Sequence, residues 1–161
     1  MRRTMAVAGA AMVLWATAAS AQGKPTSGKW QLDTEKTTAA NPEGAGGGGG
    51  RRGGGGMGPV ALTVDAATLK VERETQQGAV TTTYKLDGSE QTMTMGQGEA
   101  KAKAKWEGNT IVIETTRTMG ENTITTKTVY AMEGDYLVIA TTSPPRGGGE
   151  PVTRKQYYCK S

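Results

Sequence analysis

The chain has 161 residues, 24 of them glycine, with one cysteine, no histidine, no phenylalanine and a formal charge of +4. Without histidine, imidazole zinc sites, serine triads and histidine general bases are excluded, and Cys159 alone cannot form an intrachain disulfide. Removing Arg2 and Arg3, which stand in an acid-free leader, lowers the charge to +2; the remaining charges are interspersed in both signs, so no nucleic-acid partner is expected.

Residues 1–21 combine a basic start, an apolar run over 6–19 and a small-x-small site at Ala19-Ser20-Ala21. This pattern predicts a secretory signal peptide, with Gln22 opening the mature chain and a secreted or periplasmic destination. The apolar run is shorter than the ~20 residues that span a bilayer, so no stable membrane insertion is expected after cleavage. Residues 22–161 are then one domain, expected to be a monomer.

A first strand is predicted over 27–33, "SGKWQLD". "NPEGAGGGGGRRGGGGMGP" follows, and its glycine density predicts a disordered loop over 40–59, because each glycine loses much backbone entropy on ordering. From Val60 onward, threonine- and valine-rich segments alternate with glycine turns, which is a sheet composition. Strands are predicted over 60–65, 68–75, 79–86, 89–95, 99–106, 110–119, 122–132, 136–142 and 151–159. The linkers "EGN", "MGEN" and "MEGD" are hairpin turns. The fold class is therefore all-β: an antiparallel meander of about eight to ten strands. With ten strands the first and last run antiparallel and can close the sheet by pairing.

The segment "EAKAKAKW" decides which face is inside. On a strand, Ala100, Ala102, Ala104 and Trp106 share one face, and Lys101, Lys103 and Lys105 share the other, which must be wet. Extending this parity puts inward Leu69, Val71 and Arg73; Val80, Thr82, Tyr84 and Leu86; Ile111, Ile113, Thr115 and Arg117; and Val152, Arg154, Gln156 and Tyr158. Ten strands enclose more space than eight, and inward alanines leave room for a cavity. The alternative is a flattened sheet whose alanines make room for tryptophan and tyrosine opposite.

Gly28-Lys29-Trp30 at the head of the first strand, a meander, and Thr153, Arg154, Tyr157 and Tyr158 in the last strand resemble the calycins, the lipocalins and fatty-acid-binding proteins. The stretch from "KWEGNTIVIE" to "VTRKQYY" is similar in layout to the second half of a fatty-acid-binding protein. The resemblance implies a calycin-like barrel closed by Trp30 and a carboxylate clamp at Arg154 and Tyr158. It also implies a helical lid between the first two strands, where this chain has its glycine stretch instead.

The expected function is a secreted protein that binds a small amphipathic ligand such as a lipid, without enzyme activity, metal or cofactor. The expected ligand-binding residues are Arg73, Tyr84, Arg117, Arg154 and Tyr158, with the three arginines at one rim and Trp30 at the other. The alternative is a structural, envelope-associated sheet without a ligand. Glu114 and Asp135 are the carboxylates an enzyme would have to use, and no motif surrounds them.

Overall fold

The computed structural model describes residues 22–42, 58–75, 78–95, 98–119, 122–144 and 150–161. The predicted signal peptide (1–21) and nearly all of the predicted glycine loop (43–57 of 40–59) lie outside them. The elements are β1 (Gln22–Gly23), β2 (Gly28–Leu32), α1 (Thr34–Ala40), β3 (Val60–Val64), β4 (Thr68–Thr75), β5 (Gly78–Lys85), β6 (Asp87–Met95), β7 (Gly98–Glu107), β8 (Thr110–Met119), β9 (Asn122–Glu133), β10 (Tyr136–Ser143) and β11 (Val152–Lys160).

All the long strands belong to one antiparallel meander, ordered β5-β4-β3-β2-β11-β10-β9-β8-β7-β6. The tight hairpins work as their residues dictate. Glu107 faces Thr110 around Gly108 and Asn109, and Glu133 faces Tyr136 around Gly134 and Asp135. Both glycines sit at φ 61°, a left-handed conformation that costs a side chain with a Cβ. The first and last long strands pair, Trp30 opposite Lys160 and Leu32 opposite Tyr158, which curls the sheet into a barrel.

Closure is incomplete. β5 and β6 are the two ends of the hydrogen-bonded path, although they are consecutive in the chain. The Leu86 amide is held by the Ala67 carbonyl beside β4, while the register of β6 on β7 slips between Asp87 and Glu90, so the two strands diverge from their junction. The pairing of first and last strands expected from the sequence is present, but the sheet stays open between β5 and β6, so the barrel is nearly closed.

The interior follows the predicted parity. Trp30, Leu62, Leu69, Val71, Ala102, Ala104, Ile111, Ile113, Tyr130, Leu137, Ile139 and Tyr158 form one buried cluster. The lysines of β7 lie outside, Lys101 and Lys103 at 2.9 and 3.7 Å from Glu90, and Lys105 at 2.9 Å from Glu107. The parity fails in one respect: Val80 and Val152 are 52% and 50% exposed, and Arg117 and Arg154 are exposed too. All four stand toward the ends of β5, β8 and β11 at the β4–β5 and β8–β9 hairpin end, where the strands run past the filled interior.

The opposite end is covered by the segment before β2. β1 pairs with Met132 and Glu133 of β9, Pro25 is buried, Lys24 Nζ lies 5.6 Å from the Trp106 ring centre, and Ser27 Oγ bonds the backbone of Val64 in β3. This segment therefore crosses the barrel end from β9 to β3.

α1 was not expected. Asp33 caps it by accepting from the Lys36 amide at 2.9 Å, and Asn41 follows its last turn. The helix packs on β11 beyond the three residues that β2 covers. There the Thr37 hydroxyl accepts from the Tyr157 amide at 2.9 Å, and Asn41 bonds both backbone groups of Lys155. The space that the sequence reading left to the glycine stretch alone thus begins with a helix that serves an otherwise open strand edge.

Candidate ligand site

Four polar side chains enter the apolar interior from four strands. β4 contributes Arg73, β5 contributes Tyr84 opposite Leu69, β9 contributes Tyr130 between Ile111 and Ile139, and β11 contributes Tyr158 between Leu137 and Leu32. Each sits on the inward parity of its strand, beside aliphatic residues of the neighbouring strands.

The groups act on one another. Burial opposes the charge of Arg73, but Tyr130 and Tyr158, a hydrogen bond to Tyr130, and Tyr84 outweigh it and hold its pKa above the ordinary arginine value. Burial, reinforced by Tyr130 and opposed by Arg73, pushes the Tyr84 phenol up to about 12. Burial also raises the Tyr158 phenol, against the pull of Arg73. Tyr84 and Tyr158 are thus neutral donors at ordinary pH, grouped with Tyr130 round a cation. No aspartate or glutamate is buried among the described residues.

One donor in this group is idle. The Tyr158 hydroxyl is buried without a hydrogen-bond partner. A buried hydroxyl in that state carries a desolvation cost of about 1–3 kcal/mol, which an incoming acceptor removes. A guanidinium, a neutral phenol network and an unused O–H are suited to a carboxylate or similar anion, because every element donates or attracts negative charge.

Of the sequence-predicted residues, the structure brings Arg73, Tyr84 and Tyr158 together and leaves Arg117 and Arg154 exposed on strand ends. The implied Arg154–Tyr158 clamp is not assembled, because Arg154 lies four residues up β11, beyond the filled interior. Trp30 is 1% exposed within the core, its ring 6.0 Å from Lys160 Nζ and its Nε1 unpartnered. Tyr130 was missed. Met119 pairs with Asn122, which sets Tyr130 opposite inward Ile111, so the register alone could have found it.

Cys159 is exposed, its thiol 3.6 Å from the Gln31 carbonyl. Among the described residues no group of three histidine, cysteine, aspartate or glutamate side chains is placed to hold a metal, and no helix is long and apolar enough to cross a membrane.

No family model matches the sequence, and no curated protein matches it. Solved structures do match. A REP1-NXSQ fatty acid transporter superposes with a TM-score of 0.57 at 14% identity, covering 84% of this chain and 95% of that one. A secretory abundant heat soluble protein of Ramazzottius varieornatus gives 0.57 at 19% identity, over 86% and 97%. Zebrafish ileal bile acid-binding protein complexed with cholic acid gives 0.53 at 15% identity, over 84% and 98%. With its ten-strand meander, end-to-end pairing of first and last strands and nearly closed sheet, this chain has the calycin-like barrel fold of the fatty-acid-binding and lipocalin-like proteins.

Proposed function

We propose that the protein is an exported barrel that binds a small anionic amphiphile, with Arg73, Tyr84, Tyr130 and Tyr158 receiving the charged group and the apolar cluster, closely packed in this structure, parting to receive the hydrocarbon. The observation that carries this reading is the buried Tyr158 hydroxyl, unpartnered beside a desolvated guanidinium. A purely structural core has no use for such a group, and replacing it with an apolar one would be neutral or favourable. The names of two structural neighbours, a fatty acid transporter and a bile acid-binding protein, support a ligand of this class. Arg117 and Arg154, exposed at the hairpin end, would attract such an anion as it approaches. The protein works without catalysis on this reading, and the basic-apolar-small pattern of residues 1–21 supports export.

The test is displacement of a fluorescent fatty-acid probe from the purified protein. Stearate should displace it saturably, and stearyl alcohol should do so at least about ten-fold less well, about 1.4 kcal/mol. No saturable probe binding would leave the structural reading standing. Export is tested by N-terminal sequencing of secreted protein, where a start far from Gln22 would reject the signal assignment.

A further inference from the structure

From the two bare edges of the sheet we infer a self-association surface: β5 of one chain pairs with β6 of a second copy, and β6 with the β5 of that copy, round a two-fold axis parallel to the strands. The inference is independent of the binding reading and departs from the monomer expected of the sequence.

β5 is paired only with β4 and β6 only with β7, so each presents a row of backbone N–H and C=O groups on its other side. Leu86 alone separates the two strands in the chain, and its amide is tied to the Ala67 carbonyl. Two residues are the shortest common hairpin loop, so a ladder joining β5 to β6 within one chain has no turn to start from.

The other uncovered edge is guarded. Along β11, past the reach of β2, Thr37 and Asn41 of α1 bond the backbone of Tyr157 and Lys155. β5 has no such cover: residues 78–84 include no charged residue and no proline, the usual guards of an exposed edge, and Val80 among them is half exposed. On β6 the register slip between Asp87 and Glu90 guards the first half, and residues 91–94 are again uncharged.

The two bare stretches fit each other. Both lie toward the hairpin end, at the start of β5 and the end of β6. Antiparallel pairing with matched inward parity sets Val80 beside Met93 and Thr82 beside Gln91, and on the outer face Ala79 beside Thr94 and Thr81 beside Thr92. No charges meet, and Val80 gains an apolar neighbour. Thr81 beside Thr92 repeats the outward pairs Thr116–Thr125 and Thr142–Thr153, whose hydroxyls lie 3.2 and 2.7 Å apart in the barrel's own ladders. A two-fold axis parallel to the strands makes both pairings at once and keeps both antiparallel, so one contact covers the bare edges of both copies.

The experiment is sedimentation equilibrium on the full mature chain carrying Cys159→Ser, which removes disulfide-linked dimers. The apparent mass should rise with concentration toward twice the monomer value. Val80→Lys and Thr92→Lys each place a charge at an exposed position of one bare stretch, and each should weaken association at least about ten-fold. Mild oxidation of mixed Val80→Cys and Met93→Cys chains, both also carrying Cys159→Ser, should yield a mixed disulfide in excess of either homodimer. This second readout serves if the lysine variants fail to fold. A monomer at every concentration overturns the inference. Association that both lysine variants leave unchanged overturns it too, as does an excess of Val80→Cys homodimers over the mixed species, which would pair β5 with β5.

Discussion

The carboxamide of Asn41 pairs with the peptide of Lys155 as a neighbouring strand would, Nδ2 donating to the carbonyl at 2.7 Å and Oδ1 accepting from the amide at 3.0 Å. A single side chain at the end of α1 thus extends the β11 edge that β2 is too short to cover. Asn41→Ala should lower stability by about 1 kcal/mol, or roughly 2–4 °C in Tm for a domain of this size. Hydrogen exchange should localise the effect. The Lys155 amide should lose protection while amides in β8 and β9 keep theirs, and unchanged exchange at Lys155 would contradict the pairing.

Arg73 and Arg154 should behave differently toward an anionic ligand. Arg73→Gln removes a half-buried charged donor that points among the tyrosines, so stearate affinity should fall about ten- to hundred-fold, chiefly through faster dissociation. Arg154 is exposed, so Arg154→Gln should slow association at low ionic strength and lose its effect in high salt. Stopped-flow binding separates the two cases; equal salt dependence for both variants would contradict this division of roles.

Stability should fall in alkali because of Tyr84. Burial pushes its phenol up to about 12 in the folded protein, from the ordinary phenol value of 10.0. Between those values the unfolded chain has lost the proton and the folded chain retains it, so rising pH favours unfolding. The stabilisation is complete below pH ~10 and is lost as pH rises through about 12, a total of roughly 2–3 kcal/mol. Tyr158, raised in the same direction by burial, adds to the slope. Urea midpoints near pH ~9 and pH ~11.5 should differ in the native protein and differ less in Tyr84→Phe; identical slopes would show that Tyr84 does not titrate in this range.

Trp30 fills the seam where first and last strands meet, and Trp30→Ala should cost about 3–5 kcal/mol by opening a cavity there. Trp30→Phe should cost distinctly less, because the lost indole N–H has no hydrogen-bond partner to strand. Chemical denaturation ranks the variants, and equal losses would mean that the N–H matters more than the volume.

Gly134 turns β9 into β10 at φ 61°, and a Cβ there would meet no heavy atom within 4 Å. The cost of substitution is therefore a backbone cost alone. Gly134→Ala should destabilise by about 1 kcal/mol and Gly134→Val by more, with Gly134→Asn between glycine and alanine. If Ala and Asn cost the same, the left-handed conformation is not what selects glycine.

Much of this fold was legible because strands write a local code. Alternation places Ala100, Ala102 and Ala104 on one face and three lysines on the other without reference to any distant residue, and a two-residue turn such as Gly108-Asn109 carries that register into the next strand. α1 was not legible: seven residues with none buried have no apolar period to read, and its function depends on Lys155, more than a hundred residues away. Tyr130 needed only the register from Ile111 carried one hairpin further.

Side and depth are different quantities, and the sequence by itself determines only the first. Period two told which way Arg73, Arg117 and Arg154 face, but not that Arg73 lies within the filled interior while the other two stand past its end. That depends on the stagger of all ten strands and on where the β5–β6 junction leaves the sheet open. The meeting of Arg73 and Tyr84 with Tyr130 and Tyr158 was likewise decided by tertiary structure, because curvature brings the paired strands β4 and β5 together with β9 and β11, which pair with neither of them. Hydrogen-bonded ladders transmit register between neighbours, whereas the distance across a barrel is set only when the whole sheet has closed on its core.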